Sequence, residues 1–209
     1  MIYEFVVRSE TPPYQVYKLH QEVIDVVCGG GLGLNKEAAR PLWRSHPSVK
    51  SSSGGSLLLV RSSEPPLGEV SRVKEQAVRF EAGELRKFNC RLNLSSRVWV
   101  EQHGCLTKDL NKGLEQDREK CRKKVEKSLA PSEVEPWLRL LLNQNGMTLQ
   151  NAAIVSQNRV QLKQRHFFIN AADIVFVARV ADPKLAEEAY CRGIGRKRAF
   201  GFGLLVEAE

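Results

Sequence analysis

The order of strand-like and helix-like segments constrains the fold of this chain more than any single motif. Residues 2–8 alternate in polarity and are rich in β-branched and aromatic side chains, which is typical of a strand. A helix is predicted next, because apolar side chains recur at helical spacing: Val16, Leu19, Val23, Val26 and Val27. Strands are then expected at 42–44, 56–61 and 77–80, and a short helix at 67–73. The first part of the chain therefore predicts the order strand–helix–strand–strand–helix–strand.

The rest of the chain repeats this order. Ala82-Gly83 interrupts the pattern, so we predict one domain over 1–83 and a second over 84–209. The 209 residues, of which 42% are hydrophobic, suffice for two small cores. In the second part we expect strands at 85–94, 152–156, 174–180 and 202–206, and helices that begin at Pro131 and at Asp182-Pro183. Residues 108–127 are dense in charge of both signs and predict a solvated helix or a flexible excursion. Two such units predict an α+β fold of tandem ferredoxin-like (RRM-like) domains.

A glycine-rich loop near the end of the chain is the clearest candidate binding element. Its four glycines, Gly193, Gly195, Gly201 and Gly203, flank three cations, Arg196, Lys197 and Arg198. Glycines let a backbone approach a ligand closely and expose N–H groups, and the cations add a positive field. The loop precedes a strand, whereas a dinucleotide fingerprint or a P-loop opens a helix. The combination favours a phosphate ligand; the alternative is a plain turn in which Gly193 caps a helix.

A second basic segment lies at residues 157–168. The cations Arg159, Lys163 and Arg165 alternate there with apolar residues, which predicts a β-hairpin with one cationic face. The formal net charge of +8 and the pI of about 9.4 agree with a polyanionic partner such as RNA.

Several other classes of protein are disfavoured by the sequence. No apolar run approaches the roughly 18 residues of a membrane span, and the first residues lack the pattern of a signal peptide, so we expect a cytoplasmic protein. The five cysteines are scattered and expected to be reduced. No acidic cluster suggests a two-metal nuclease, and we expect neither a metal nor another cofactor.

Several short motifs together resemble a known family. They include Tyr17-Lys-Leu-His20-Gln21 on the first helix, Phe88-Asn-Cys-Arg91-Leu92, and the glycine-rich loop. In order and spacing they are similar to the CRISPR-associated endoribonucleases of the RAMP superfamily, of the type I-E kind, which cut precursor repeat RNA within Cascade-type complexes. The resemblance implies RNA held across two ferredoxin-like domains, a catalytic imidazole at His20, a helper phenol at Tyr17, and a glycine-rich loop near the RNA backbone. It also implies that the basic hairpin lies against a repeat stem-loop and that other subunits of an effector complex are partners.

The chemistry expected from this resemblance is metal-independent. The ribose 2′-OH attacks the adjacent phosphate, which gives a 2′,3′-cyclic phosphate and a 5′-hydroxyl. Histidine can serve as the base or the acid of this reaction, because its ordinary pKa is about 6.5. The enzyme would cut at the base of the stem-loop and keep the product bound.

Two alternatives remain at this stage. The first is a non-catalytic guide-RNA-binding subunit of the same superfamily, and the presence of both Tyr17 and His20 disfavours it. The second is a general RNA-binding module with tandem RRM-like folds, which would show exposed aromatic pairs on its central strands.

Overall fold

The N-terminal part of the protein forms a four-stranded antiparallel sheet. The structure is a computed structural model that describes residues 1–31, 41–45, 55–101, 122–162 and 167–208. The strands of this sheet are β1 (Ile2–Ser9), β2 (Leu42–Ser45), β3 (Ser56–Ser62) and β4 (Ser71–Gln76). They lie side by side in the order β2-β3-β1-β4. The central pair, β1 and β3, is in register with Phe5 opposite Val60, and both of these side chains are buried.

Helix α1 (Val16–Cys28) covers one face of this sheet. Its apolar residues fall on a single side, as the sequence predicts, and Leu19, Val23 and Val27 are fully buried against Phe5 and Val60. The helix ends at Gly29, which adopts a left-handed conformation (φ 69°). Glycine adopts this conformation without the steric cost that a Cβ would bring.

The short helix predicted at 67–73 is wrong. Residues 71–76 form strand β4 instead, and the preceding segment is tethered to the end of α1. The N–H groups of Leu67 and Gly68 both donate to the carbonyl oxygen of Val26, at 3.1 and 2.9 Å. Residues 71–76 are extended because they pair with β1, from Ser71 opposite Val6 to Gln76 opposite Ile2.

The C-terminal part forms a second four-stranded antiparallel sheet with the same topology. Its strands are β5 (Leu85–Asn93), β8 (Met147–Leu162), β9 (Phe167–Val180) and β10 (Leu205–Glu207), in the order β10-β5-β9-β8. Numbered within each part, both sheets have the strand order 4-1-3-2, read from opposite edges. Helices α2 (Pro131–Asn143) and α3 (Pro183–Arg192) begin where the sequence predicts, and both pack on the core of this sheet. The predicted tandem ferredoxin-like fold is confirmed, whereas the division at residue 83 stays a prediction.

Strands β6 (Ser95–Glu101) and β7 (Arg122–Ser128) form a separate two-stranded ribbon between β5 and α2. A solvated helix or a flexible excursion is predicted for 108–127, and both are wrong for residues 122–127, which belong to β7. Val98 lies opposite Val125 across the ribbon, and Val125 is 40% exposed. Residues 122–128 contain a single apolar side chain, Val125, so their sequence shows no hydrophobic period.

The long hairpin of β8 and β9 replaces the shorter strands expected from the sequence. The two strands pair from Met147 opposite Val180 to Leu162 opposite Phe167. Residues 157–162 of the predicted basic hairpin pair with 167–172, and residues 163–166 lie outside the described residues.

The two sheets are joined by buried arginines. Arg61 on β3 is 1% exposed and donates to the carbonyl oxygens of Tyr190 and Leu205, and it also pairs with Glu4. Arg44 on β2 donates to Asn89 Oδ1 (3.1 Å) and lies 3.4 Å from Asp173 Oδ1. Among the residues described, no helix is both long enough and apolar enough to cross a membrane.

Candidate functional site

The structure brings α1 and the glycine-rich loop together, although they lie near opposite ends of the sequence. Tyr17 and His20 are three residues apart, so they project from the same side of the helix. Both rings lie against Phe200 of the loop. The centroids of His20 and Phe200 are 5.7 Å apart with the rings tilted by 57°, and those of Tyr17 and Phe200 are 6.4 Å apart at 28°. The two predicted catalytic side chains are thus neighbours at the loop.

The glycines of the loop are required by the packing of the loop itself. All four have positive φ, between 72° and 84°. A Cβ on Gly203 would lie 2.1 Å from the carbonyl oxygen of Ile194, and one on Gly193 would lie 2.8 Å from the carbonyl oxygen of Gly203. The sequence predicts that these glycines allow close approach of a phosphate. That reason is corrected for Gly193 and Gly203, since the space beside them is filled by the protein.

Trp43 on β2 contacts the backbone of the glycine-rich loop on both sides of Phe200. Its indole Nε1 donates to the carbonyl oxygen of Ala199 at 3.0 Å. A Cβ on Gly201 would lie 3.0 Å from the six-membered ring of Trp43, so the glycine allows the backbone to rest on the indole. Trp43 is 1% exposed. Because Ala199 and Gly201 flank Phe200, these two contacts fix the ring against which Tyr17 and His20 lie.

The environment of His20 favours a neutral imidazole. The residue is partly buried, and its Nδ1 atom is buried without a hydrogen-bond partner among the described residues. Burial disfavours the charged form and lowers the pKa of His20 below its usual 6.5. Tyr17 is 50% exposed, so its phenol is accessible from solvent.

The three cations of the loop all contact the protein. Arg196 pairs with Glu126 of β7, and Lys197 Nζ lies 3.9 Å from the same carboxylate. Arg198 donates to the carbonyl oxygens of Arg192 (3.0 Å) and Gly193 (3.2 Å), at the end of α3. Part of their positive charge is therefore compensated within the fold, which the sequence did not predict.

The cations of the basic hairpin are only partly described. Arg159 lies exposed on β8, whereas Lys163 and Arg165 lie outside the described residues. Within the part of the chain that is described, no three His, Cys, Asp or Glu side chains form a group that could hold a metal ion.

Phe200, Trp43 and Arg91 surround the site and were given no role from the sequence. Arg91 lines a cleft of about 20 Å³ between the two sheets, together with Trp43, Phe200 and Gly201. The alternation of side chains along β5 does indicate a role for Arg91. In β5, Phe88, Cys90 and Leu92 face the core, so the alternating residues face away from it. Asn89, Arg91 and Asn93 are all polar, and this predicts a polar face of the strand turned towards another surface.

Comparison with known proteins agrees with this fold. The crystal structure of the CRISPR-associated protein Cas6e from Escherichia coli K-12 superposes with a TM-score of 0.70 at 18% identity, over 100% of this chain and 99% of that one. Cse3 from Thermus thermophilus, bound to an RNA that represents a pre-cleavage complex, gives a TM-score of 0.70 at 20% identity, over 99% of both chains. A chain of a CRISPR RNA-guided surveillance complex gives 0.60 at 18% identity, over 98% of both.

The sequence comparisons are consistent with these structural ones. A search of curated protein sequences gave no significant match. The profile of the family described as "CRISPR associated protein" matches residues 7–208, which span both sheets and the glycine-rich loop. Because this match covers nearly the whole chain, the protein belongs to the CRISPR associated protein family.

Proposed function

We propose that this protein is a metal-independent endoribonuclease that cuts CRISPR repeat RNA at the base of a stem-loop. The main support for the proposal is that the rings of His20 and Tyr17 both contact Phe200 of the glycine-rich loop. The similarity to Cse3, described as a CRISPR endoribonuclease bound to RNA, supports the same activity here.

His20 acts as the general base in this proposal. Its lowered pKa leaves the imidazole mostly neutral near pH 7, with a lone pair free to accept the proton of the ribose 2′-OH. The resulting oxyanion attacks the adjacent phosphate, and the 5′-oxygen of the next nucleotide leaves and takes up a proton from water. The products carry a 2′,3′-cyclic phosphate and a 5′-hydroxyl. A correctly placed base typically contributes about 10²- to 10⁴-fold in rate.

Tyr17 orients the reacting groups. Its exposed phenol lies one turn before His20 on the same side of α1, where it can donate a hydrogen bond to the phosphate or to the ribose. Backbone N–H groups of the glycine-rich loop that are not used within the fold would stabilise the charge that grows on the phosphate.

Arg159 and its neighbours on the long hairpin bind the stem of the repeat. Arg159 is exposed on β8, with its side chain accessible to an RNA backbone. The protein keeps the cut RNA and joins other subunits of an effector complex, in line with its similarity to a chain of the surveillance complex.

Cleavage of repeat RNA by the purified protein tests the proposal. We expect cutting to persist in EDTA and to stop when the ribose before the cut is replaced by deoxyribose, since the attacking hydroxyl is then absent. His20→Ala should abolish cutting and leave RNA binding within a few-fold, whereas Tyr17→Phe should reduce the rate less. Cutting of the deoxy-substituted RNA at the same bond would contradict the mechanism. Binding without any cutting by the wild-type protein would instead identify a non-catalytic guide-RNA subunit.

A further inference from the structure

Arg91 occupies the cleft beside the proposed catalytic side chains. It projects from the face of β5 that is turned away from the core, and its guanidinium lies 6.0 Å from the centre of the Phe202 ring. Phe200 also lines this cleft, and the same ring contacts His20 and Tyr17. Val16, one helical turn before His20, forms another part of the wall. The cleft therefore adjoins the candidate site directly.

No carboxylate of the described residues balances the charge of Arg91. Three other arginines at this interface each have a carboxylate: Arg44 has Asp173, Arg61 has Glu4 and Arg196 has Glu126. Among the described residues Arg91 has none. Its one hydrogen bond to a neighbouring side chain in this part of the chain is to Ser45 Oγ, at 3.4 Å, and its Nε atom is buried without a partner.

A second guanidinium, that of Arg44, adds to the excess of positive charge around Arg91. Arg44 is buried on the neighbouring strand β2, and burial, together with the charge of Arg91, lowers its pKa despite the attraction of Asp173. A partly buried guanidinium that lacks a carboxylate is costly unless an anion accompanies it. Arginine matches phosphate well, because two of its N–H groups can donate to two phosphate oxygens at once.

We propose that Arg91 binds a phosphate of the RNA backbone next to the cleavage site, in the cleft between the two sheets. This inference rests on the proposed function, because it takes the ligand to be the RNA that reaches His20. Ser45 shares the site, and its hydroxyl, which now accepts from Arg91, can turn to donate to the same phosphate. Phe200 separates this phosphate from the one that is cut, so that Arg91 and His20 hold neighbouring parts of one strand.

Equilibrium binding of the repeat RNA at several salt concentrations tests this role. The probe is repeat RNA with a single deoxyribose before the cut, so that binding is measured without cleavage. We compare Arg91→Gln with Arg86→Gln, which removes the same charge from the same strand but whose arginine already pairs with Glu84 (2.8 Å) and Glu207 (3.2 Å). Arg91→Lys keeps the charge and loses the two-pronged geometry.

For Arg91→Gln we expect roughly 10- to 100-fold weaker binding at low salt, typical of a lost hydrogen bond to a charged group. The plot of log K against log salt should become shallower by about 0.7–0.9, the contribution of one phosphate contact. Arg86→Gln should keep both values close to those of the wild type. Arg91→Lys should bind more weakly with an unchanged slope.

A slope for Arg91→Gln equal to that of the wild type overturns the proposal. Thermal melting shows whether Arg91→Gln has failed to fold. In that case Arg91→Lys decides, because wild-type RNA affinity in Arg91→Lys also overturns the role of the guanidinium. If the wild-type protein binds the RNA but does not cut the unmodified repeat, only the proposed catalytic function is refuted. The comparison of salt slopes then still tests the role of Arg91.

Discussion

The packing of the glycine-rich loop predicts that Gly203→Ala is far more damaging than an ordinary glycine-to-alanine change. The added Cβ would lie 2.1 Å from the carbonyl oxygen of Ile194, which belongs to the backbone and cannot turn away as a side chain could. Relief of this contact must disturb two hydrogen bonds, from Ile194 N to Gly203 O (2.9 Å) and from Gly203 N to Arg91 O (2.7 Å).

The matched control is Gly83→Ala. Gly83 has φ +85° and Gly203 has φ +84°, but a Cβ on Gly83 would meet nothing within 4 Å. The control therefore measures the conformational cost alone, which is about 1–2 kcal/mol for an alanine in the left-handed region. For Gly203→Ala we add about 1–3 kcal/mol of overpacking and about 1 kcal/mol for each of the two hydrogen bonds. The variant should thus lose about 3–5 kcal/mol more than the control. That is a large part of the stability of a typical domain, about 5–15 kcal/mol.

Urea unfolding followed by tryptophan fluorescence measures both values. Equal destabilisation of the two variants would refute the packing described here. A Gly203→Ala protein of normal stability that has lost RNA affinity would instead restore the first explanation, in which the glycine admits a phosphate.

Three further predictions concern His20, Trp43 and Glu126. Because burial lowers the pKa of His20 in the folded protein, the unfolded chain takes up a proton at higher pH, so the free energy of unfolding should fall as the pH drops through 6.5. The acid limb of the kcat/KM profile should lie below that pH. His20→Ala should remove this part of the pH dependence of stability, measured by urea titration. Trp43→Phe should cost about 1 kcal/mol through the lost bond to Ala199 and should move the pKa of His20, measured by NMR titration; an unchanged pKa would show that Phe200 is held by other contacts. Glu126→Gln should strengthen RNA binding and steepen its salt dependence, because Arg196 and Lys197 lose their carboxylate; weaker binding would mean that Glu126 orients these cations for RNA.

The parts of the fold that follow from local sequence were predictable, and those set by pairing over long distances were not. The face of α1 could be predicted because Leu19, Val23 and Val27 recur at helical spacing and are all buried. The ribbon of β6 and β7 could not, because it forms by strand pairing and residues 122–128 contain a single apolar side chain. The helix expected at 67–73 failed because residues 71–76 pair with β1, which lies far earlier in the chain.

The same distinction applies to the candidate site. Tyr17 and His20 were selected by resemblance and by their spacing on one helix, and the structure brings both to the glycine-rich loop. The support beneath the loop was not predicted. Nothing in the local sequence of Trp43 indicates that its indole will meet the backbone near Phe200, since that contact exists only after the two sheets have packed together.

The buried Arg61 has a consequence for the order in which the protein can mature during synthesis. Its two carbonyl acceptors, on Tyr190 and Leu205, follow it by 129 and 144 residues in the chain. On the ribosome, the first sheet therefore emerges long before the acceptors that its central guanidinium needs. Until then Arg61 has only Glu4, and the surface meant for the second sheet remains open to solvent. The N-terminal part should consequently gain its final stability only after α3 and β10 have been synthesised and packed against it.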